Sequence, residues 1–155
     1  MLHRFLIIVL AINLNSCETN KYLQFHNFDS GWGNSQVMEF NFQGEKQNDI
    51  KNIDFILRHN NNYPFANIFL ISELVTSNKK IQIDTLEFKL ADSSGKWLGT
   101  TKISLVEHKL PYKTNFILKE GETFKLKVRT SMRLNNEINE IENLDGVLNF
   151  GLLIE

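Results

Sequence analysis

The sequence predicts an all-β fold, an antiparallel β-sandwich of about seven or eight strands in a single domain. Three observations carry this. Apolar residues recur at every second position through most of the chain, turn-forming clusters such as "SNKK", "DSSG" and "KEGE" separate the alternating runs, and no long helical period follows the first twenty residues. Phenylalanine is the dominant aromatic, with 12 residues, and most of them fall on the inward phase, where a ring without a polar handle is easiest to bury.

The segments follow in order. "VMEFNF" (37–42) alternates, and "NIDFILRHN" (52–60) sets Ile53, Phe55 and Leu57 on one face against Asp54, Ile56 and Arg58 on the other. "FANIFLISELVT" (65–76) is apolar on both phases, as expected of a central strand buried from both sides. In "KIQIDTLEFKL" (80–90) Ile81 and Ile83 are one step out of phase with Leu86, Phe88 and Leu90, so a bulge near Asp84 and Thr85 is expected to restore a common face. "KISLVEH" (102–108) and "TNFIL" (114–118) read as two short strands divided by a turn at "KLPYK". "TFKLKVRTSMR" (123–133) is the cleanest strand, with Phe124, Leu126, Val128, Thr130 and Met132 opposed to Lys125, Lys127, Arg129 and Ser131, and it should have one wet face. "RLNNEINEIENLDG" spaces Leu134, Ile138 and Ile141 as a short helix or a structured loop would, and "VLNFGLLIE" closes in register.

The first residues belong to another class. A basic start ending at Arg4, an apolar run too short to span a bilayer and the small Ser16 before Cys17 make residues 1–16 a secretory signal. The sequence around Cys17 resembles a bacterial lipobox. Since Cys17 is the only cysteine, it is expected to be a lipid attachment point, in competition with an ordinary signal cut nearby or an uncleaved anchor. A single acyl chain gives only reversible membrane binding, whereas two or three hold a protein durably. Residues 17–36, rich in turn formers ("FDSGWGNS"), read as a lipidated tether, and residues 37–155 as the sandwich. A formal net charge of −1, with basic and acidic residues interspersed, argues against a nucleic-acid-binding face.

Three blocks bear a family resemblance: "LRHNNNYPFANIFL" (57–70), "DTLEFKLADSSGKWLG" (84–99) and "GLLIE" (151–155), supported by "LPYK" and by Met132 and Arg133. In this order, and with the lipobox, the chain resembles the gliding-motility lipoprotein GldH family of the Bacteroidota. The resemblance implies an outer-membrane lipoprotein, on the periplasmic face or the cell surface, that supports gliding and the linked type IX secretion machinery. It brings no catalytic residues. Where the family often carries arginine this chain has Leu153, and its acidic "NNEINEIEN" stretch is expanded.

No enzyme is expected. His26, His59 and His108 are scattered without a zinc spacing and read as solvated or capping residues, so no metal or other cofactor is assigned. No nucleophile elbow, triad spacing or phosphate loop occurs. Asp54 or Asp84 could approach Glu87, but chance pairs of surface acids are common. Asn62 and Tyr63 in "HNNNYPF" read first as a strand connection and Trp97 in "SSGKWLG" as a plug for the open sandwich end. The same three residues are the candidates for a partner-binding surface, because loops at sandwich ends carry recognition on this architecture. "DTL" (84–86) resembles the short O-glycosylation acceptor of this phylum, which would place a glycan on an exposed Thr85.

Two functional classes follow. The first is a noncatalytic structural or assembly component that contacts the membrane through Cys17 and other gliding and secretion envelope proteins. The second is a lipid-anchored carbohydrate-binding module, favoured if exposed rings form a coplanar row. Neither nucleic acid nor a small-molecule ligand is expected.

Overall fold

Backbone pairing sorts the alternating segments into two facing antiparallel sheets. The computed structural model describes residues 21–135 and 137–155. Cys17 and residues 1–16 lie outside the described residues. The elements are β1 (Tyr22–Asn27), β2 (Trp32–Gly33), β3 (Met38–Gln43), β4 (Asp49–His59), β5 (Asn67–Thr76), β6 (Ile81–Lys89), β7 (Thr100–Thr101), β8 (Val106–Leu118), β9 (Thr123–Thr130), β10 (Asn143–Leu144) and β11 (Val147–Ile154). One sheet has the order β1-β11-β4-β8-β7 and the other β3-β9-β5-β6, with β10 and β2 forming a two-stranded clip. The all-β sandwich read from the sequence is the fold observed.

Period-two alternation explains the core. β3 buries Met38, Phe40 and Phe42 and β9 buries Phe124, Leu126 and Val128, while their intervening residues face outward. Against them the first sheet sets Phe55 and Phe150, whose ring centroids lie 5.2 Å apart, and Phe55 also stacks on Tyr112 at 4.8 Å. Such offset aromatic contacts add to what their burial contributes.

The sandwich starts earlier than residue 37. β1 pairs with β11 from Tyr22 opposite Ile154 to Asn27 opposite Asn149, and Phe28 and Trp32 are core residues. Trp32 stacks on Phe28, packs at a tilt against Phe150 and donates Nε1–H to Gln36 O at 3.1 Å, so the turn-rich "FDSGWGNS" wraps an indole into the core and is not a tether. β1 also shields the neighbouring sheet. Tyr22 OH donates to Asn41 O at 3.3 Å and His26 Nε2 to Glu39 O at 3.1 Å, capping carbonyls on the open edge of β3.

Other expectations are corrected in the same way. β8 runs unbroken through Pro111, so "KLPYK" is strand and not turn. Beyond β8 lies only β7, paired at Glu107 and Val106, and a proline on such an edge forfeits no ladder bond. The β5–β6 ladder has no bulge. It is continuous from Asn67 opposite Lys89 to Val75 opposite Ile81, and the phase conflict is resolved by leaving Ile81 and Ile83 exposed. The strand buried on both faces is β4, from Ile53 to Leu57, while β5 alternates. The outer side of β4 is covered because the Phe25 ring lies across Gly151, with the Arg58 guanidinium 4.1 Å above its centroid. A Cβ on Gly151 would sit 2.6 Å from Phe25 Cδ1, which is why this strand position is glycine. The "NNEINEIEN" stretch is a structured loop among the described residues, with Ile141 packed on the core and Leu134 and Ile138 exposed.

Candidate functional site

The register places three connections at one end of the sandwich: residues 60–66 after β4, residues 90–105 between β6 and β8, and residues 131–142 after β9. Each is shaped by local hydrogen bonding. Asn60 Oδ1 accepts from Asn62 N at 2.8 Å, an Asx turn that reverses the chain. Asn62 itself is exposed. Asp92 Oδ1 accepts from Ser94 Oγ (2.7 Å), Ser94 N (2.8 Å) and Lys96 N (3.0 Å), and these bonds, the Ser94 hydroxyl foremost, hold its carboxyl below the usual range.

Tyr63 is not surface. It is 2 % exposed, its OH donates to Asn67 O at 2.8 Å, and burial raises its phenol strongly. Trp97 is half-buried, with its ring edge-on to His59 at 4.4 Å, the plug arrangement. Of the three candidate contact residues the structure therefore leaves Asn62 exposed, Trp97 partly so and Tyr63 in the core. Thr85 stands exposed in the middle of β6, opposite Ile71 and away from this end.

The histidines are the larger surprise. His59 and His108 are buried, not solvated, and their Nε2 atoms lie 3.0 Å apart. His59 Nδ1 lies 2.8 Å from Asn60 O, a carbonyl that can only accept, so Nδ1 carries the proton and Nε2 of His59 must accept from Nε2–H of His108. The His59 ring is therefore neutral. Burial lowers the affinity of His59 for a second proton, and burial together with the facing His59 lowers His108 to about 4. Gly99 roofs the pair. A Cβ there would meet Glu107 O at 2.5 Å and His108 Nδ1 at 2.8 Å.

Glu140 pins the third connection. It accepts from Arg129 (3.0 and 3.1 Å) and from Ser131 Oγ (2.9 Å), with Arg133 at 3.8 Å. Burial alone would raise its carboxyl, but these donors and charges outweigh it and hold it below its ordinary value. Between this loop and the outer face of β5 runs an open groove of about 810 Å³, floored by Phe65, Phe69 and Met132 and rimmed by Glu87, Lys89 and Arg133. The sequence reading missed this groove, although Met132 and Arg133 were among the residues carrying the resemblance.

Asp84 bonds Lys113 Nζ at 2.9 Å, Asp54 faces Lys109 at 3.3 Å and Glu87 accepts from Asn67 Nδ2 at 2.7 Å, so each of the three acids has its own partner. Among the described residues no group of three or more His, Cys, Asp or Glu side chains converges as a metal site.

The fold and this end define a single-domain antiparallel β-sandwich with an aromatic plug and an adjoining open groove. A family profile described as "GldH lipoprotein" matches residues 20–154. The chain belongs to the GldH lipoprotein family. It is 30 % identical over 151 residues to the gliding motility lipoprotein GldH of Flavobacterium johnsoniae, covering 97 % of this chain and 94 % of that protein. It is also 28 % identical to the GldH homolog of Christiangramia forsetii, covering 97 % and 93 %. Among solved structures, a CocE/NonD family hydrolase from Staphylococcus aureus aligns with 86 % of this chain and 32 % of its own at 12 % identity and a TM-score of 0.40, a likeness that carries no inference.

Proposed function

We propose that this chain is a gliding motility lipoprotein of the cell envelope, anchored at the outer membrane through lipid on Cys17. On this reading it serves gliding and the linked type IX secretion machinery as a noncatalytic structural or assembly component. The observation that carries it is the end-to-end match to the GldH lipoprotein family, with relatives named for gliding motility aligned over nearly their whole length. The chemistry of the loop end agrees. There the Glu140 carboxylate is engaged by Arg129, that of Glu107 by Arg58 and that of Glu87 by the Asn67 amide, and the two buried imidazoles engage each other. Tethering supplies the mechanism, because a domain fixed to a surface turns weak pairwise contacts into persistent ones.

A carbohydrate-binding role would need a row of exposed rings. Here Tyr63 and Trp97 both turn toward His59, at 5.1 and 4.4 Å, which favours a protein partner at the groove and Asn62. Thr85 has the exposure that an O-linked glycan requires.

Crosslinking in living cells, followed by identification of the captured proteins, tests the proposal. Envelope components of gliding or secretion are the expected products, and capture of glycan alone would overturn it. Intact mass of the native protein reads the Cys17 lipid and the Thr85 glycan directly.

A further inference from the structure

The end of the sandwich opposite the Trp97 plug has received no role, and its position is constrained by the anchor. On the reading that Cys17 carries lipid, only residues 18–21 separate the bilayer from the first sandwich residue, Tyr22. A chain extended at about 3.5 Å per residue carries Tyr22 no further than about 18 Å from Cys17. That is shorter than the sandwich itself, since the eight residues of β11 span about 26 Å at about 3.3 Å each. The Tyr22 end must therefore face the membrane at close range.

The topology collects at that end the connections 44–48, 77–80 and 119–122, and its surface has the chemistry of a lipid interface. Ile50 and Ile117 lie directly opposite one another across the β4–β8 ladder and are 61 % and 50 % exposed. Ile81, at the start of β6, is exposed at the same end. The three connections carry Lys46, Lys79, Lys80 and Lys119 against Glu45, Glu120 and Glu122. At the opposite end, the connections 28–37, 60–66, 90–105 and 131–146 carry Asp29, Asp92, Glu137, Glu140, Glu142 and Asp145 against Lys96, Lys102 and Arg133. Aliphatic side chains among lysines suit the headgroup boundary of an anionic bilayer, where long lysine stems reach outward, and an acidic end is repelled from it.

We infer that the Tyr22 end of the sandwich docks on the lipid bilayer, with Ile50 and Ile117 entering the headgroup layer. The anchor and this pair then make a two-point attachment that holds the groove and Asn62 turned away from the membrane, one strand length above it.

The test uses the full chain as recovered from its native cells, mixed with vesicles of phosphatidylethanolamine with a minority of phosphatidylglycerol and brominated acyl chains. An environment-sensitive fluorophore is placed on Ile117→Cys or, at the far end, on Ser94→Cys. Both positions are exposed, so neither label disturbs the core. The inference expects emission from position 117 to shift to the blue and to be quenched several-fold more than emission from position 94. Adding Ile50→Ser should reduce that difference.

Equal, unquenched emission from both positions in protein that sediments with the vesicles overturns docking and leaves the anchor standing. An unmodified Cys17 by intact mass, in protein that stays in the supernatant, overturns both. Shielding of position 117 that depends on protein density and not on brominated lipid assigns the surface to a second copy of the chain, and also overturns the inference.

Discussion

The buried imidazole pair makes the stability of this sandwich respond to pH in a range where its carboxylates are silent. In the unfolded chain His108 takes a proton near the ordinary pKa of about 6.5, whereas in the fold it does so only at about 4. The unfolded state thus binds more protons between these values. Stability is fully present above about pH 6.5 and falls as the pH drops toward 4. With those two values, moving from about pH 7.5 to about pH 5 removes about 2 kcal/mol, a large share of the usual 5–15 kcal/mol of a domain. His59 is lowered as well and adds in the same direction. Folded carboxylates that are held low, such as Asp84, Glu107 and Glu140, lose their contribution only as the pH falls below about 4 to 4.5, outside this window. Urea denaturation at the two pH values, for the native chain and for His108→Gln, reads the effect. The variant retains a side-chain donor toward His59 but does not titrate, so its stability should fall clearly less. Proton NMR on the native chain should show the His108 ring neutral down to about pH 5. Equal pH slopes for the two proteins, or a His108 titration near 6.5, would refute the argument.

Other perturbations probe separate parts of the fold. Gly151→Ala forces its Cβ against Phe25, lifting the ring from its place beneath Arg58; a loss of about 1–3 kcal/mol in urea denaturation is expected, and less when Phe25→Ala is added. Phe55→Ala removes the ring that touches both Phe150 and Tyr112 and should cost about 3–5 kcal/mol by the same measurement. Trp97→Ala opens the cover of the histidine pair, so the His108 pKa read by NMR should rise toward its ordinary value while the core aromatic resonances stay dispersed. Glu140→Gln weakens a partly exposed clamp, costing about 1 kcal/mol or less, but it should speed hydrogen exchange through residues 131–142 selectively.

Where one face is dry and the other wet, the sequence states the structure openly. β9 is legible because lysines and arginine occupy its outward phase almost without exception, and β3 follows the same grammar with Glu39, Asn41 and Gln43 facing outward. Errors arise where an edge relaxes that demand. β1 leaves every residue partly or fully exposed, so it shows no alternation, and β8 tolerates Pro111 because little pairs beyond it. β6 hides its register in the opposite manner, by exposing Ile81 and Ile83. In the candidate site the histidine pair was within reach of sequence reasoning, since His59 continues the inward series Ile53, Phe55, Leu57, and His108 falls between Val106 and Leu110 on the inward phase of β8. What was not readable is the ladder register that brings two strands 49 residues apart into diagonal contact. The groove beside Met132 was hidden for the same reason, being made by a loop folding back over a sheet.

β1 has a single ladder neighbour, and that neighbour is β11. The earliest of the described strands must therefore wait for the latest before it can join a ladder, and only side-chain contacts to β3 hold it meanwhile. Contacts of such wide sequence separation form slowly, because a long stretch of chain has to be closed first. Until β11 fixes β1 in place, the carbonyls of β3 have only loosely held Tyr22 and His26 covers, and sticky edges of this kind invite association. A chain held by its first residues while the remainder emerges would keep its neighbours at arm's length during just this vulnerable period.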